Sequence, residues 1–194
     1  MTGAGLSLTV DARPVERVPA ALVIAGVFES ELPLRGTAGR VDWRLCGLLS
    51  DLARRGRLSG GAGEFTLVGC DERLACEGLL LRGLGARADF AADVFRRAVA
   101  DVFARAAALE APTVAIGSLG IAADEWARHV DVFVEGAVVG VGDSPMSARL
   151  CLDPEETERV GRELARCCIG TDVEVELPPR DRAPDAFRSV RPGR

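Results

Sequence analysis

The sequence predicts an α/β fold in three layers, a mixed or mostly parallel sheet covered by helices on both faces. Three observations carry this. Residues 20–28, AALVIAGVF, form a nearly continuous apolar run of strand length bounded by turn residues, as in a strand buried on both sides. Residues 112–117 repeat that pattern. Between and after these runs lie segments with apolar residues at helical spacing, so strands and helices alternate along the chain.

Taken in order, residues 6–10 alternate as a short strand and residues 20–28 give the first buried one. Pro33 and Gly36 break the pattern before a helix expected over 40–55, with Val41, Leu45, Leu48, Leu49 and Leu52 on one face and Gly56 as its stop. The glycines at 60, 61 and 63 lead into two strands, 64–70 and 77–84, close enough in sequence to be neighbours. Asp89 is the expected N-cap of a long helix to about 109, with Asp93/Arg97 and Asp101/Arg105 spaced as i,i+4 ion pairs. Phe95, Val99, Val102, Phe103 and Ala106 face the core. Trp126, Val130, Phe133, Val134 and Ala137 mark a helix from about 124. A short strand at 150–152 follows. Asp153, Pro154 and Glu156 then take the cap, first and third positions of a helix ended by Gly170, and 172–177 is the last strand. This divides the chain into a main domain at 5–145, a strand-helix-strand extension of it at 146–177, and a Pro- and Arg-rich mobile tail at 178–194.

Composition narrows the chemistry. The chain has 194 residues, 48% hydrophobic and 27% charged, and its 24 basic residues are all Arg. It has no Lys, Asn, Gln or Tyr and a single His. That removes a Schiff-base lysine, a His-rich metal site, a tyrosine acid and a carboxamide in an oxyanion hole. The net charge is -5, and the tail, with five Arg against two Asp, carries +3 of it, leaving an acidic body that repels phosphate backbones. Nucleic acid is therefore not an expected partner. Apolar runs are too short and interrupted for a membrane span, and the N-terminus lacks the charged and apolar regions of a secretion signal, so a cytoplasmic protein with reduced thiols is expected.

His129 has no second ligand spaced to share a metal. Cys167 and Cys168 are adjacent, and Cys70 and Cys76 are separated by five residues rather than two, so neither pair is a redox or zinc motif. Ser118 and Ser144 lie in no nucleophile motif. Three Gly-containing loops remain: 36–39 (GTAG), 83–85 (GLG) and 117–120 (GSLG). Each lies where free backbone amides could hold an anion, although none has the spacing of a dinucleotide or Walker motif. The candidate ligand-binding residues are Gly36, Thr37, Gly39, Arg40, Gly117, Ser118 and Gly120; tight turns explain the same residues without a ligand.

The residues also resemble a known family. LVIAGVFES followed by ELPLRG, the helix entry VDWRLCGLLSDL, the phrase GRLSGGAGE, the strand LLLRGLG, the block closing on VAIGSLG and the helix FVEGAVVG occur in the order found in the N-terminal domain of the leucyl, or cytosol, aminopeptidases. The resemblance covers roughly residues 5–142. It implies a fold similar to the macro domains and a domain that supports a hexameric enzyme without contributing catalytic residues. The peptidase domain of that family holds two divalent metals with Asp, Glu and a Lys and uses a further catalytic Lys, and a chain without lysine cannot supply them. The expectation is therefore a non-catalytic module with no cofactor and no metal. It would form a homo-oligomer or dock on a partner such as a full-length aminopeptidase. The alternative is a macro-domain-type binder of an ADP-ribose-like ligand. There AALVIAGVFESELPLRGTAGRVD would align with one phosphate loop and VAIGSLGI with the other. Macro domains that hydrolyse ADP-ribose links commonly place an Asn after that strand; here the stretch is Gly26, Val27, Phe28 and Glu29, and Glu29 would repel a pyrophosphate.

Overall fold

A computed structural model describes residues 5–176. Seven strands form one sheet in the order β3-β4-β2-β5-β6-β1-β7. They are β1 (Leu6–Asp11), β2 (Ala20–Val27), β3 (Phe65–Gly69), β4 (Cys76–Gly83), β5 (Thr113–Ile116), β6 (Met146–Cys151) and β7 (Val173–Glu176). All neighbours pair in parallel except β3 and β4, which are antiparallel from Phe65 opposite Arg82 to Gly69 opposite Gly78. The sheet is mixed, as the sequence predicts.

Alternation along β2 explains the three layers. Leu22 and Ile24 point into one core with Leu80, Val114, Ile116 and Leu150, under helices α3 (Ala92–Ala108), α4 (Val130–Val141) and α5 (Pro154–Cys167). Val23, Ala25 and Val27 point the other way with Leu79, Leu81 and Ala115, onto helices α1 (Gly36–Arg44) and α2 (Leu48–Arg54). The first core holds a chain of edge-to-face aromatic contacts in which Phe95 meets Trp126 at 5.6 Å and Trp126 meets Phe133 at 5.5 Å between ring centres. Helix α4 lies close on α3 because Gly136 faces it: a Cβ there would stand 2.6 Å from the Arg96 carbonyl oxygen.

Several expectations are corrected. The single helix over 40–55 is two helices, and the first starts at Gly36 rather than Arg40. The break falls where Cys46 (φ 57°) and Gly47 (φ 83°) are left-handed, a conformation that glycine adopts without strain. Asp42 then caps α2: its Oδ1 accepts the Leu49 N–H at 2.8 Å and the Ser50 N–H at 3.1 Å. Leu48 is consequently exposed instead of sharing the buried face of Val41, Leu45 and Leu49. Gly56 does end α2, its N–H bonding to the Ala53 carbonyl while the Arg57 N–H bonds to that of Leu52.

The N-cap of α3 is Ala91, with Asp89 in a preceding 3-10 turn. Asp93 and Arg97 pair at 2.8 Å as expected. Asp101 instead pairs with the buried Arg82 of β4, and Arg105 lies over the Phe65 ring at 5.0 Å. At α5, Asp153 is the N-cap and Pro154 the first residue, but the Asp153 side chain makes no capping bond. Finally, the strand expected at 150–152 begins at Met146 and lies inside the sheet between β5 and β1, so the sheet runs unbroken across residue 145. Strand β7 adds to the outer side of β1. The proposed tail lies outside the described residues. Among the described residues no helix is long and apolar enough to cross a membrane.

Candidate functional site

Strands β2 and β5 are parallel neighbours, so the segments leaving them emerge at the same, carboxyl end of the sheet, where α/β folds place ligands. The fold therefore brings together two of the three glycine loops. Residues 36–39 are the first turn of α1, and residues 117–120 follow β5. The Ser118 N–H donates to Thr37 Oγ1 at 2.9 Å, the two hydroxyl oxygens are 3.3 Å apart, and the Arg40 guanidinium approaches Thr37 Oγ1 to 3.5 Å. Thr37 is only 2% exposed. Gly117 is required here because a Cβ would overlap the Thr37 hydroxyl. Gly39 packs its Cα against the Leu34 carbonyl, and Gly120 sits among Leu84, Phe90 and Phe28. The predicted residues are thus assembled, but mostly on one another: the hydroxyl and amide that would greet an anion already form a bond.

The third loop is a structural knot. The Gly85 N–H bonds to the Gly60 carbonyl and the Leu84 N–H to that of Val27, while the Gly63 N–H reaches the Gly83 carbonyl. Glu29 is exposed just beyond Phe28, its N–H on the Gly85 carbonyl. His129 opens α4, with Nδ1 3.0 Å from the Glu125 carbonyl oxygen and its ring against Phe95. No group of three or more His, Cys, Asp or Glu able to hold a metal occurs among the described residues.

At the carboxyl ends of β1 and β6, Asp11 accepts the Arg13 N–H at 2.9 Å and pairs with its guanidinium at 2.6 Å. Burial works to raise the Asp11 carboxyl, but the Arg13 hydrogen bonds and charge outweigh it and hold the group below its ordinary value. Burial, followed by the nearby Asp11 charge, pushes the Cys151 thiol up to about 12, which keeps it protonated and unreactive at neutral pH.

Sequence spacing missed two features. The first is an open groove of about 600 Å³ at the opposite, amino end of the sheet, where β2, β4 and β5 begin. Leu67 of β3 and Leu109 beyond α3 flank it, 56% and 42% exposed, with Ala20, Leu22, Val68 and Pro112 between them. Leu67 and Leu109 are far apart in sequence, and the pairing of β3 on β4 places the first on the same groove as the second. The second is a thiol pair, Cys70 and Cys76, whose sulfurs lie 3.0 Å apart.

The fold is a three-layer α/β domain similar to that of the macrodomains. The Oceanobacillus iheyensis macrodomain with ADP superposes with a TM-score of 0.62 at 7% identity, covering 81% of this chain and 89% of that one. The macrodomain of Thermus aquaticus DarG gives 0.60 at 11% identity, covering 76% and 99%. At these identities the likeness is one of fold. A tomato leucine aminopeptidase mutant gives 0.63 at 17% identity over 86% of this chain and 37% of that one.

A family model described as the N-terminal domain of the cytosol aminopeptidase family matches residues 24–141. The chain belongs to that family. Probable cytosol aminopeptidases of Alkaliphilus oremlandii and a Cyanothece species are 25% and 30% identical to it over 107 and 105 residues. Those stretches are 55% and 54% of this chain but 21% and 20% of the relatives, so the chain spans about a fifth of the length of the curated relatives it matches. The part of the family that it matches is the N-terminal domain.

Proposed function

We propose that this domain is a non-catalytic assembly module that associates with further copies of itself through the amino end of its sheet. The groove flanked by Leu67 and Leu109 carries this reading. Its two leucines are large, apolar and exposed on one groove, and exposed apolar surface of this kind marks contact surfaces. The resemblance to aminopeptidase N-domains, which support assembly of their enzymes, points the same way. The residue inventory agrees: no lysine is present and the lone histidine faces an aromatic core. Light scattering of the purified chain at micromolar concentration tests the reading, with a mass above the 20.5 kDa monomer expected and a strict monomer contradicting it. Leucyl-p-nitroanilide with manganese or zinc should give no turnover that survives purification.

A second reading is favoured by the meeting of residues 36–40 with 117–120 at the carboxyl end of the sheet, where α/β folds hold ligands, and by the fold shared with the Oceanobacillus iheyensis macrodomain with ADP. On it the domain would take an ADP-ribose-like ligand, with Arg40 and the α1 amides on the phosphates. The Thr37–Ser118 contact and the exposed Glu29 oppose it, since both would have to yield to a pyrophosphate. Calorimetric titration with ADP-ribose should give no heat of binding at micromolar concentrations. Binding that Arg40→Ala weakens would establish the second reading instead.

A further inference from the structure

We infer that Cys70 and Cys76 form an oxidant-driven disulfide that clips the outer edge of the sheet. The two residues close the turn between β3 and β4, and their sulfurs stand 3.0 Å apart, about 1 Å beyond a bonded pair. In an unbroken ladder Cys70 would stand opposite Glu77, one step past the Gly69–Gly78 pair. The left-handed Asp71 (φ 42°) and Glu72 (φ 61°) break the ladder there, and the turn swings the Cys70 sulfur onto Cys76. A sulfur–sulfur approach this close is short even for two thiols in contact, and covalent closure needs only a small movement of the two side chains.

The surroundings set the order of events. Cys70 is 1% exposed and packs in the core with Leu49, Leu74 and Leu79, whereas Cys76 is only partly buried. Cys76 is therefore the thiol that a small peroxide reaches. Its thiolate sulfur attacks one peroxide oxygen, the O–O bond breaks and the departing hydroxide leaves as water, giving a sulfenic acid. The Cys70 sulfur then attacks the Cys76 sulfur, the S–OH bond breaks, and hydroxide leaves with the Cys70 proton as a second water. In sum two thiols and one hydrogen peroxide give one disulfide and two waters. Burial, then the contact with Cys70, raises the Cys76 thiol to about 12, and burial raises Cys70 as well, so the first step is slow at neutral pH and quickens in alkali. The product ties β3, which among the described residues is an edge strand paired only with β4, to the start of β4.

The sequence supplies its own readout. Arg73 lies between the two cysteines, so trypsin separates residues 58–73 from 74–82 unless a disulfide joins them. The full chain is treated with hydrogen peroxide at pH 8.5, its free thiols are alkylated in denaturant, and it is digested and analysed by mass spectrometry. The expected result is the joined pair of peptides, lost on treatment with dithiothreitol and absent in Cys76→Ser, where Cys70 stays reduced. The proposal is overturned if Cys70 and Cys76 remain alkylated at peroxide levels that oxidise the exposed Cys46, or if either is found joined to Cys46 instead. The wild-type arm decides the matter even if the serine variant folds poorly.

Discussion

The two ends of the sheet invert what an α/β fold leads one to expect. At the carboxyl end, where such folds hold ligands, Thr37, Ser118, Gly117 and Gly120 are engaged with one another and with aromatic side chains. At the amino end, where strands usually just begin, Leu67 and Leu109 flank an open apolar groove. A shared architecture thus fixes where backbone amides gather, while a few side chains decide whether those amides remain free. The same glycines that permit a phosphate cradle also permit two loops to close on each other.

The contrast can be broken from the closed end first. Gly117→Val forces a branched side chain into the Thr37 hydroxyl and should destabilise the domain by about 3 kcal/mol, read from urea denaturation. An unchanged midpoint would mean that the end is open after all. Thr37→Val keeps the shape but leaves the half-buried Ser118 N–H without its acceptor, with an expected loss of about 1 kcal/mol in the same experiment.

The open end should respond in the opposite way. Leu67→Glu with Leu109→Glu changes exposed side chains, so monomer stability should shift by no more than about 0.5 kcal/mol. Association, followed by sedimentation over a dilution series, should weaken at least about tenfold, or ~1.4 kcal/mol. A stability loss as large as that of Thr37→Val would show that the leucines belong to the core.

The smallest effect concerns Asp11, near the closed end. Its folded-state carboxyl lies below the ordinary value, so its pairing with Arg13 stabilises the fold above about pH 4 and that contribution fades as pH falls through the folded value. Arg13→Ala should be less stable than wild type at pH 7, and the difference should shrink in acid. A difference that grows in acid would contradict the assignment.

Legibility in the sequence followed the range of the interactions. The all-apolar run of β2 and the spacing of Phe95, Val99, Val102, Phe103 and Ala106 announced buried elements because burial itself writes those patterns. The break between α1 and α2 was hidden because Val41, Leu45, Leu49 and Leu52 keep helical spacing through it; Asp42 and Gly47 were the available signals. Asp101 looked like a partner for Arg105, yet a buried Arg82 from another strand outcompetes a neighbour on the same helix. Among the candidate residues the sequence placed Thr37 and Ser118 in the right loops but could not reveal that they bond to each other across 81 positions. The groove and the Cys70–Cys76 contact were illegible for a related reason, since both arise where β3 folds back on β4.

Amide hydrogen exchange of the wild-type chain, compared between dilute and concentrated solutions, tests the contrast between the two ends most directly. Self-association through the amino end predicts slower exchange on concentration at residues 67–69 and 109–113, with residues 36–40 and 117–120 unchanged. Protection confined to the carboxyl-end loops, or no protection anywhere at concentrations well above micromolar, would contradict it.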